Sequence, residues 1–244
     1  MKVIILAAGY ATRLYPLTKD KPKPLLDVAG KPIIEHIIKK IEEVEEIDEI
    51  FIVTNAKFYK NFKEWSELFK SKKKIKVIDD KTKSNEDRLG SLGDVSFVIE
   101  KENIKEDTLI IAGDNLFHFS LKEFLESRKK PDKSAVALYD VKDKELAKLY
   151  GIVAVNKNNK IIAFEEKPAE PKSTLASTGI YFYPAYILPM LREYVKKYKN
   201  SDKAGNFLEW LHKKEEVYCY TTEEEWFDIG NLDQLEKARK EFRP

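Results

Sequence analysis

Cysteine is almost missing from this 244-residue chain: Cys219 stands alone, which excludes an intrachain disulfide and a cysteine-rich zinc site. Histidine is scarce too. His36, His118 and His212 form no metal-like pair and read as structural or surface residues. No apolar run approaches the roughly 20 residues needed to span a bilayer. The first run, Val3–Ala8, is too short for the core of a signal peptide, so a cytoplasmic protein is expected. Nine glycines and ten prolines are too few and too scattered for a disordered linker. There is no internal repeat, and the charge runs Lys72–Lys74 and Glu223–Glu225 read as solvated surface. An excess of one charge is missing as well. Lys and Arg number 44 against 42 Asp and Glu, leaving a formal charge of +2, which argues against a general nucleic-acid or membrane binder. A single glutamine, Gln234, among abundant Lys, Glu and Ile suggests a thermophilic source.

What is present suffices for one substantial core, with 43% hydrophobic residues. Strand and helix patterns alternate through the first half. Lys2–Ala8, Glu49–Thr54, Ile75–Ile78 and Thr108–Ala112 read as buried strands. Between them, helices are predicted over Pro32–Val44, Lys57–Phe69 and Gly93–Lys101. The second half changes character. Ala135–Val141, Gly151–Val155, Ile161–Glu165 and Ala176–Tyr183 read as strands with little helix between them, and Lys157-Asn158-Asn159-Lys160 as a hairpin turn. Helices at Ala185–Lys197 and Gly205–His212, a strand at Val217–Thr221 and a last helix at Leu232–Phe242 follow. This rhythm predicts an α/β fold: a doubly wound, mostly parallel, Rossmann-like sheet with a smaller antiparallel sub-region packed across it.

Three segments carry candidate chemistry. The first runs Ile4-Ile5-Leu6-Ala7-Ala8-Gly9-Tyr10-Ala11-Thr12-Arg13-Leu14, then Tyr15-Pro16-Leu17-Thr18 and Lys21-Pro22-Lys23-Pro24-Leu25-Leu26. A strand enters a small-residue turn, so backbone N–H groups can approach a polyphosphate while Arg13 and Lys23 supply cations. It is neither a GxGxxG loop nor a Walker A loop. The second pairs Asp114, in Ala112-Gly113-Asp114-Asn115 at a strand end, with Asp228, in Trp226-Phe227-Asp228-Ile229-Gly230. Alone, each reads equally as a turn residue or a ligand; beside the phosphate loop, the ligand reading is favoured. The third is Phe164-Glu165-Glu166-Lys167-Pro168 ahead of Ser177-Thr178-Gly179-Ile180-Tyr181.

Together these segments resemble the signature of sugar-1-phosphate nucleotidylyltransferases, the glucose-1-phosphate thymidylyl- and uridylyltransferase-like enzymes that make NDP-sugars. The resemblance runs from Lys2 to about Gly230. It implies a single catalytic domain over 1–244, with a nucleotide half at about 1–133 and a sugar half at about 134–244, and without the C-terminal β-helix of some relatives. It places Ala8, Gly9, Tyr10, Ala11, Thr12, Arg13 and Lys23 around the nucleotide. Ala11 stands where relatives usually have a second glycine, and alanine disfavours positive φ. Gly151, Glu166, Lys167 and Thr178 would meet the sugar phosphate, and Asp114 and Asp228 would hold Mg²⁺. Arg13, Lys23, Asp114, Lys167 and Asp228 are the implied catalytic set.

The base-reading stretch departs most from the family and corresponds to Ser84–Asp94. There Gly90 aligns with a glycine that approaches the base. Asn85 offers an amide suited to a pyrimidine edge, against the equal alternative of a polar surface loop. The expected partners are therefore a pyrimidine NTP and a sugar 1-phosphate, with a homo-oligomer admitted because relatives often assemble. Three other readings stand beside this one: a cytidylyltransferase acting on phosphocholine or another phosphorylated alcohol, a nucleotide-sugar-dependent glycosyltransferase, and a non-catalytic NDP-sugar-binding subunit.

Overall fold

The computed structural model describes residues 1–127, 133–198 and 202–244. The chain opens with β1 (Lys2–Leu6), followed by 3-10 turns at Thr12–Leu14 and Lys23–Leu25. A small hairpin of β2 (Asp27–Val28) and β3 (Lys31–Pro32) leads into α1 (Ile33–Glu42). Alternation continues with β4 (Glu49–Thr54), α2 (Tyr59–Leu68), β5 (Lys74–Asp79), α3 (Gly90–Lys101) and β6 (Thr108–Ala112). Next come β7 (Asn115–Phe117), α4 (Leu121–Glu126), β8 (Ser134–Asp140) and α5 (Lys144–Ala147). The remainder is β9 (Gly151–Val155), β10 (Ile161–Glu166), β11 (Leu175–Tyr183), α6 (Ile187–Lys197), α7 (Ala204–Leu211), β12 (Val217–Thr222), β13 (Trp226–Asp228) and α8 (Leu232–Glu241).

One nine-stranded sheet forms the centre. β5, β4, β1 and β6 lie side by side and parallel. β11 joins β6 antiparallel, β8 joins β11 antiparallel, and β12 closes the edge parallel to β8. The β9–β10 hairpin attaches to the start of β11 at Ala176–Ile152. The second-half strands thus extend the first sheet. Gly179 makes the join possible: its φ is +78°, the pairing of β11 with β8 shifts register just there, and a Cβ would lie 3.0 Å from Ala112 Cβ.

Period-two alternation along β1 separates two cores. Val3 and Ile5 pack with α1, α4 and α8, while Ile4 packs with α3, α6 and α7 on the opposite face. Helix α1 buries Ile33, Ile34, Ile37, Ile38 and Ile41 on one stripe. Burying one such side chain contributes about 1.5–3 kcal/mol, so these stripes are what hold the helices to the sheet. Among the described residues, no helix is long and apolar enough to cross a membrane.

From β1 the chain moves outward to β4 and β5, then returns to β6 on the other side of β1. In an open α/β sheet, that reversal opens a crevice beyond the carboxyl ends of the two strands. The segment after β1 and the segment after β6 are therefore neighbours for topological reasons.

Candidate active site

That crevice is a cleft of about 610 Å³, bordered by Ala8–Arg13, Lys23, Asp114, Lys167 and Asp228 among others. Its first wall is the turn after β1. Asn55 Nδ2 donates to Ala8 O at 2.8 Å and holds the turn's entry. Ala11 adopts φ 49° and ψ 42°, the left-handed conformation, in spite of its methyl group. Its carbonyl accepts from Thr18 Oγ1 at 2.7 Å and Leu14 N at 3.0 Å, so the surrounding bonds hold an unfavoured backbone in place. Gly9 differs. A Cβ there would meet no protein atom within 4 Å, and its φ is not positive. Nothing in the fold requires glycine at position 9; the space in front of it belongs to the cleft.

The charged centre lies where the walls meet. Lys23 Nζ donates to Asp114 Oδ2 at 2.6 Å and to Ile229 O at 2.8 Å. Ile229 N donates to Asp114 O at 3.2 Å, and β13 pairs with β7 so that Asp228 faces Asn115. This small ladder seats Asp228 beside Asp114. Burial pushes the Asp228 carboxyl up to about 6, and the neighbouring Asp114 carboxylate adds to the rise. Lys23, Lys167 and Arg13 oppose it. The other four residues of the implied catalytic set thus all lie close enough to act on the Asp228 carboxyl.

A second hollow of about 250 Å³ opens from the same centre, sharing Asp114, Tyr150, Lys167 and Asp228 with the first. Its walls are closely packed. A Cβ on Gly151 would lie 2.7 Å from Phe164 Cζ and 3.0 Å from Glu166 Oε2. A Cβ on Gly205, at the start of α7, would meet the same two atoms at 2.6 and 2.9 Å. Phe164 and Glu166 thus stand between two bare backbones, and Lys203 Nζ lies 3.3 Å from Glu166 Oε1. Lys167 follows at the exposed end of β10 with φ 51°, its N–H bonded to Tyr150 O at 2.9 Å. Thr178 also lines the hollow, but its buried hydroxyl donates to Ala137 O at 2.9 Å and is already used.

The segment expected to read the base contributes Asn85, Arg88, Gly90, Ser91 and Asp94 to the lining of the larger cleft. Helix α3 begins at Gly90, one turn earlier than its apolar pattern predicts, because Gly90 takes φ +77° and turns the chain into the helix. Asn85 is exposed at the rim, and its carbonyl accepts from Arg88 Nη1 at 2.9 Å.

Several cleft residues carried no clear sequence signal. Arg88 forms a two-pronged pair with Asp202 at 3.0 and 3.1 Å, joining the base segment to the approach to α7. Gln234 Oε1 accepts from Gly230 N at 2.9 Å. Burial pushes the Tyr150 hydroxyl up to about 12, with the Asp228 charge adding and the Gln234 side chain opposing. Gln234 had one signal, being the sole glutamine of the chain; Arg88, Asp202 and Lys203 had none.

Among the described residues, no group of three or more His, Cys, Asp and Glu side chains forms a complete metal cage. Asp114 and Asp228 suit a different arrangement. Two adjacent carboxylates, one resisting ionisation chiefly through burial and further through the other's charge, match a hard divalent cation that takes its remaining ligands from phosphate oxygens and water.

Residues 2–243 match the model of the nucleotidyl transferase family. The bifunctional protein GlmU of Methanocaldococcus jannaschii is 32% identical over 240 residues, covering 98% of this chain and 54% of the relative. The chain thus spans about half the length of that relative. UTP–glucose-1-phosphate uridylyltransferase AglF of Haloferax volcanii is 30% identical over 192 residues, 76% of this chain and 73% of AglF. A Bacillus anthracis crystal structure, assigned as a glucose-1-phosphate thymidylyltransferase and complexed with sucrose, superposes with a TM-score of 0.80 at 27% identity. That match covers 100% of this chain and 97% of the other.

Proposed function

The chain belongs to the nucleotidyl transferase family, and from that premise we propose that it transfers a nucleotidyl group from an NTP to a sugar 1-phosphate, releasing pyrophosphate. The observation that carries this reading is the meeting of two hollows at one charged centre, with Arg13, Lys23, Asp114 and Lys167 around the Asp228 carboxylate. A donor and an acceptor phosphate brought together there need no general base, since the attacking phosphate oxygen is already ionised near neutral pH. Catalysis then rests on alignment and charge neutralisation.

The turn after β1 and Arg13 bind the two phosphates that leave. Lys23, held between Asp114 and Ile229 O, faces the phosphate under attack. Lys167 holds the attacking phosphate in line from the opposite wall. Glu166, fixed between Gly151 and Gly205, accepts from a sugar hydroxyl. Asp114 and Asp228 would hold Mg²⁺, which when bound supplies Lewis-acid stabilisation of phosphate charge. Asn85 and the Gly90 backbone favour a pyrimidine, UTP or dTTP ahead of CTP.

One turnover panel tests the reading. NTPs are crossed with several sugar 1-phosphates and with phosphocholine, and pyrophosphate is detected. Release that requires both a pyrimidine NTP and a sugar 1-phosphate is expected. No pyrophosphate from any pair, or release with phosphocholine alone, would overturn it; turnover with only ATP or GTP would overturn the base assignment.

A further inference from the structure

The nucleotide side of the cleft contains an acidic pair that the chemistry above does not use. Asp80 follows β5 and is 5% exposed; Asp94, in the second turn of α3, is 6% exposed. A helical side chain covers the turn before its own Cα, so Asp94 lies over the turn that begins at Gly90, and it borders the cleft. Asp80 Oδ1 is satisfied, accepting from Thr82 N at 2.7 Å and Thr82 Oγ1 at 2.8 Å. Asp80 Oδ2 and Asp94 Oδ1 are buried with no hydrogen-bond partner among the described residues. The two carboxyl groups face each other. Two buried carboxylates so placed repel, and among the described residues neither finds a cation; one proton between them removes a charge and supplies the missing donor. Thr82 is also the polar neighbour of the buried Tyr10 hydroxyl, on the turn after β1.

We infer that Asp80 and Asp94 are a positioning pair that shares one proton and, through Thr82 and Tyr10, sets the spacing between the phosphate-binding turn and the Gly90 helix start. The role as stated rests on the nucleotidyl-transfer reading of the cleft. Burial pushes the Asp94 carboxyl up to about 8, with the Asp80 carboxylate adding to the rise. Asp80 is itself raised by burial, opposed by the bonds from Thr82 and Asp94 and reinforced by Asp79. Tyr10 is the titratable group from the phosphate-binding turn that feels Asp80. β1, β4, α6 and α7 pack on α3, and among their described residues no charged group acts on Asp94. The folded-state value lies above the ordinary 3.8, so stability linked to the proton is complete below 3.8 and lost as pH rises through about 8.

The test measures KM for the NTP and for the sugar 1-phosphate on both sides of pH 8, in the wild-type protein and in Asp94→Asn and Asp80→Asn. In the wild type the NTP KM should rise above pH 8, by at most about tenfold per pH unit for a single proton, while the sugar-phosphate KM holds. In Asp94→Asn an amide replaces the shared proton, and the alkaline rise should be absent whatever value KM starts from; in Asp80→Asn burial still raises Asp94 but the neighbouring charge is gone, and the rise should move to lower pH. An identical rise in wild type and variants, or parallel rises for both substrates, would overturn the inference. Infrared spectroscopy gives a readout without turnover: a protonated-carboxyl stretch titrating near pH 8, lost in Asp94→Asn. A chain that turns over no NTP yet shows that band loses the functional reading and keeps the pair. A wild type without the band loses the pair itself.

Discussion

The two walls of the cleft are built from different materials, and on the proposed reading each meets a different binding problem. The wall after β1 is open backbone: nothing crowds Gly9, Arg13 is exposed, and Thr18 and Asn55 bond the turn from behind. The wall made by β9, β10 and α7 is packed side chain: Phe164 and Glu166 lie so close to Gly151 and Gly205 that neither glycine could carry a Cβ without a shift, and Thr178 is tied to Ala137 O. A polyphosphate presents uniform negative charge, which amides and cations recognise without detailed shape. A sugar presents hydroxyls in one stereochemistry, which only fixed acceptors distinguish. The same residue type therefore has opposite reasons in the two walls. Gly9 keeps space for a ligand, whereas Gly151 keeps space for protein.

The largest expected effect erases the boundary between the walls. Asp114→Asn and Asp228→Asn each remove a charge at the shared centre, and kcat should fall on the order of 10²–10³-fold. Thermal unfolding at neutral pH should change little, and for Asp228→Asn the midpoint should not drop, because its buried ionised carboxyl is disfavoured already. Near-normal turnover in Asp228→Asn would detach it from the centre.

Paired glycine substitutions test the comparison most directly. Gly151→Ala forces a contact with Phe164 and should cost about 1–3 kcal/mol of stability, with a higher KM for the sugar phosphate. Gly9→Ala should leave the melting temperature unchanged or slightly raised, with a higher KM for the NTP. If Gly9→Ala destabilised the protein as much as Gly151→Ala does, the contrast would be wrong.

Lys167→Ala comes next. A charge-assisted contact with phosphate contributes about 1.5–3 kcal/mol, so the sugar-phosphate KM should rise roughly 10- to 100-fold while the NTP KM stays put. Equal weakening of both substrates would move Lys167 off the sugar wall.

The smallest effect is at Ala11. Glycine accepts φ 49° without the steric cost that alanine bears, so Ala11→Gly should stabilise by less than about 1 kcal/mol, offset by the freer unfolded chain. Calorimetry would read this as a melting point higher by no more than about 2–4 °C.

Three strands were legible to the residue, whereas the first ends at Leu6 rather than Ala8 and the third runs Lys74–Asp79 rather than Ile75–Ile78. Glu49–Thr54, Thr108–Ala112 and Gly151–Val155 have the predicted bounds. Short elements were not: β7, β13 and α5 lack the length to show a period, yet β7 and β13 seat Asp228 against Asp114.

The sequence by itself determined the alternation of strands and helices, the small-residue turn after β1 and the candidate charged residues, because each is written in consecutive positions. Only the tertiary structure decided which charges meet. Lys23 reaches Asp114 across 91 positions, and Arg88 reaches Asp202 across 114. Asp80 and Asp94, 14 positions apart, are buried together, and among the described residues no cation accompanies them. Such contacts leave no local period, since they are set by strand order and by the reversal at β1. The same geometry explains Gly205: its reason is a carboxylate and a ring on another strand, and nothing beside it in the sequence points to them.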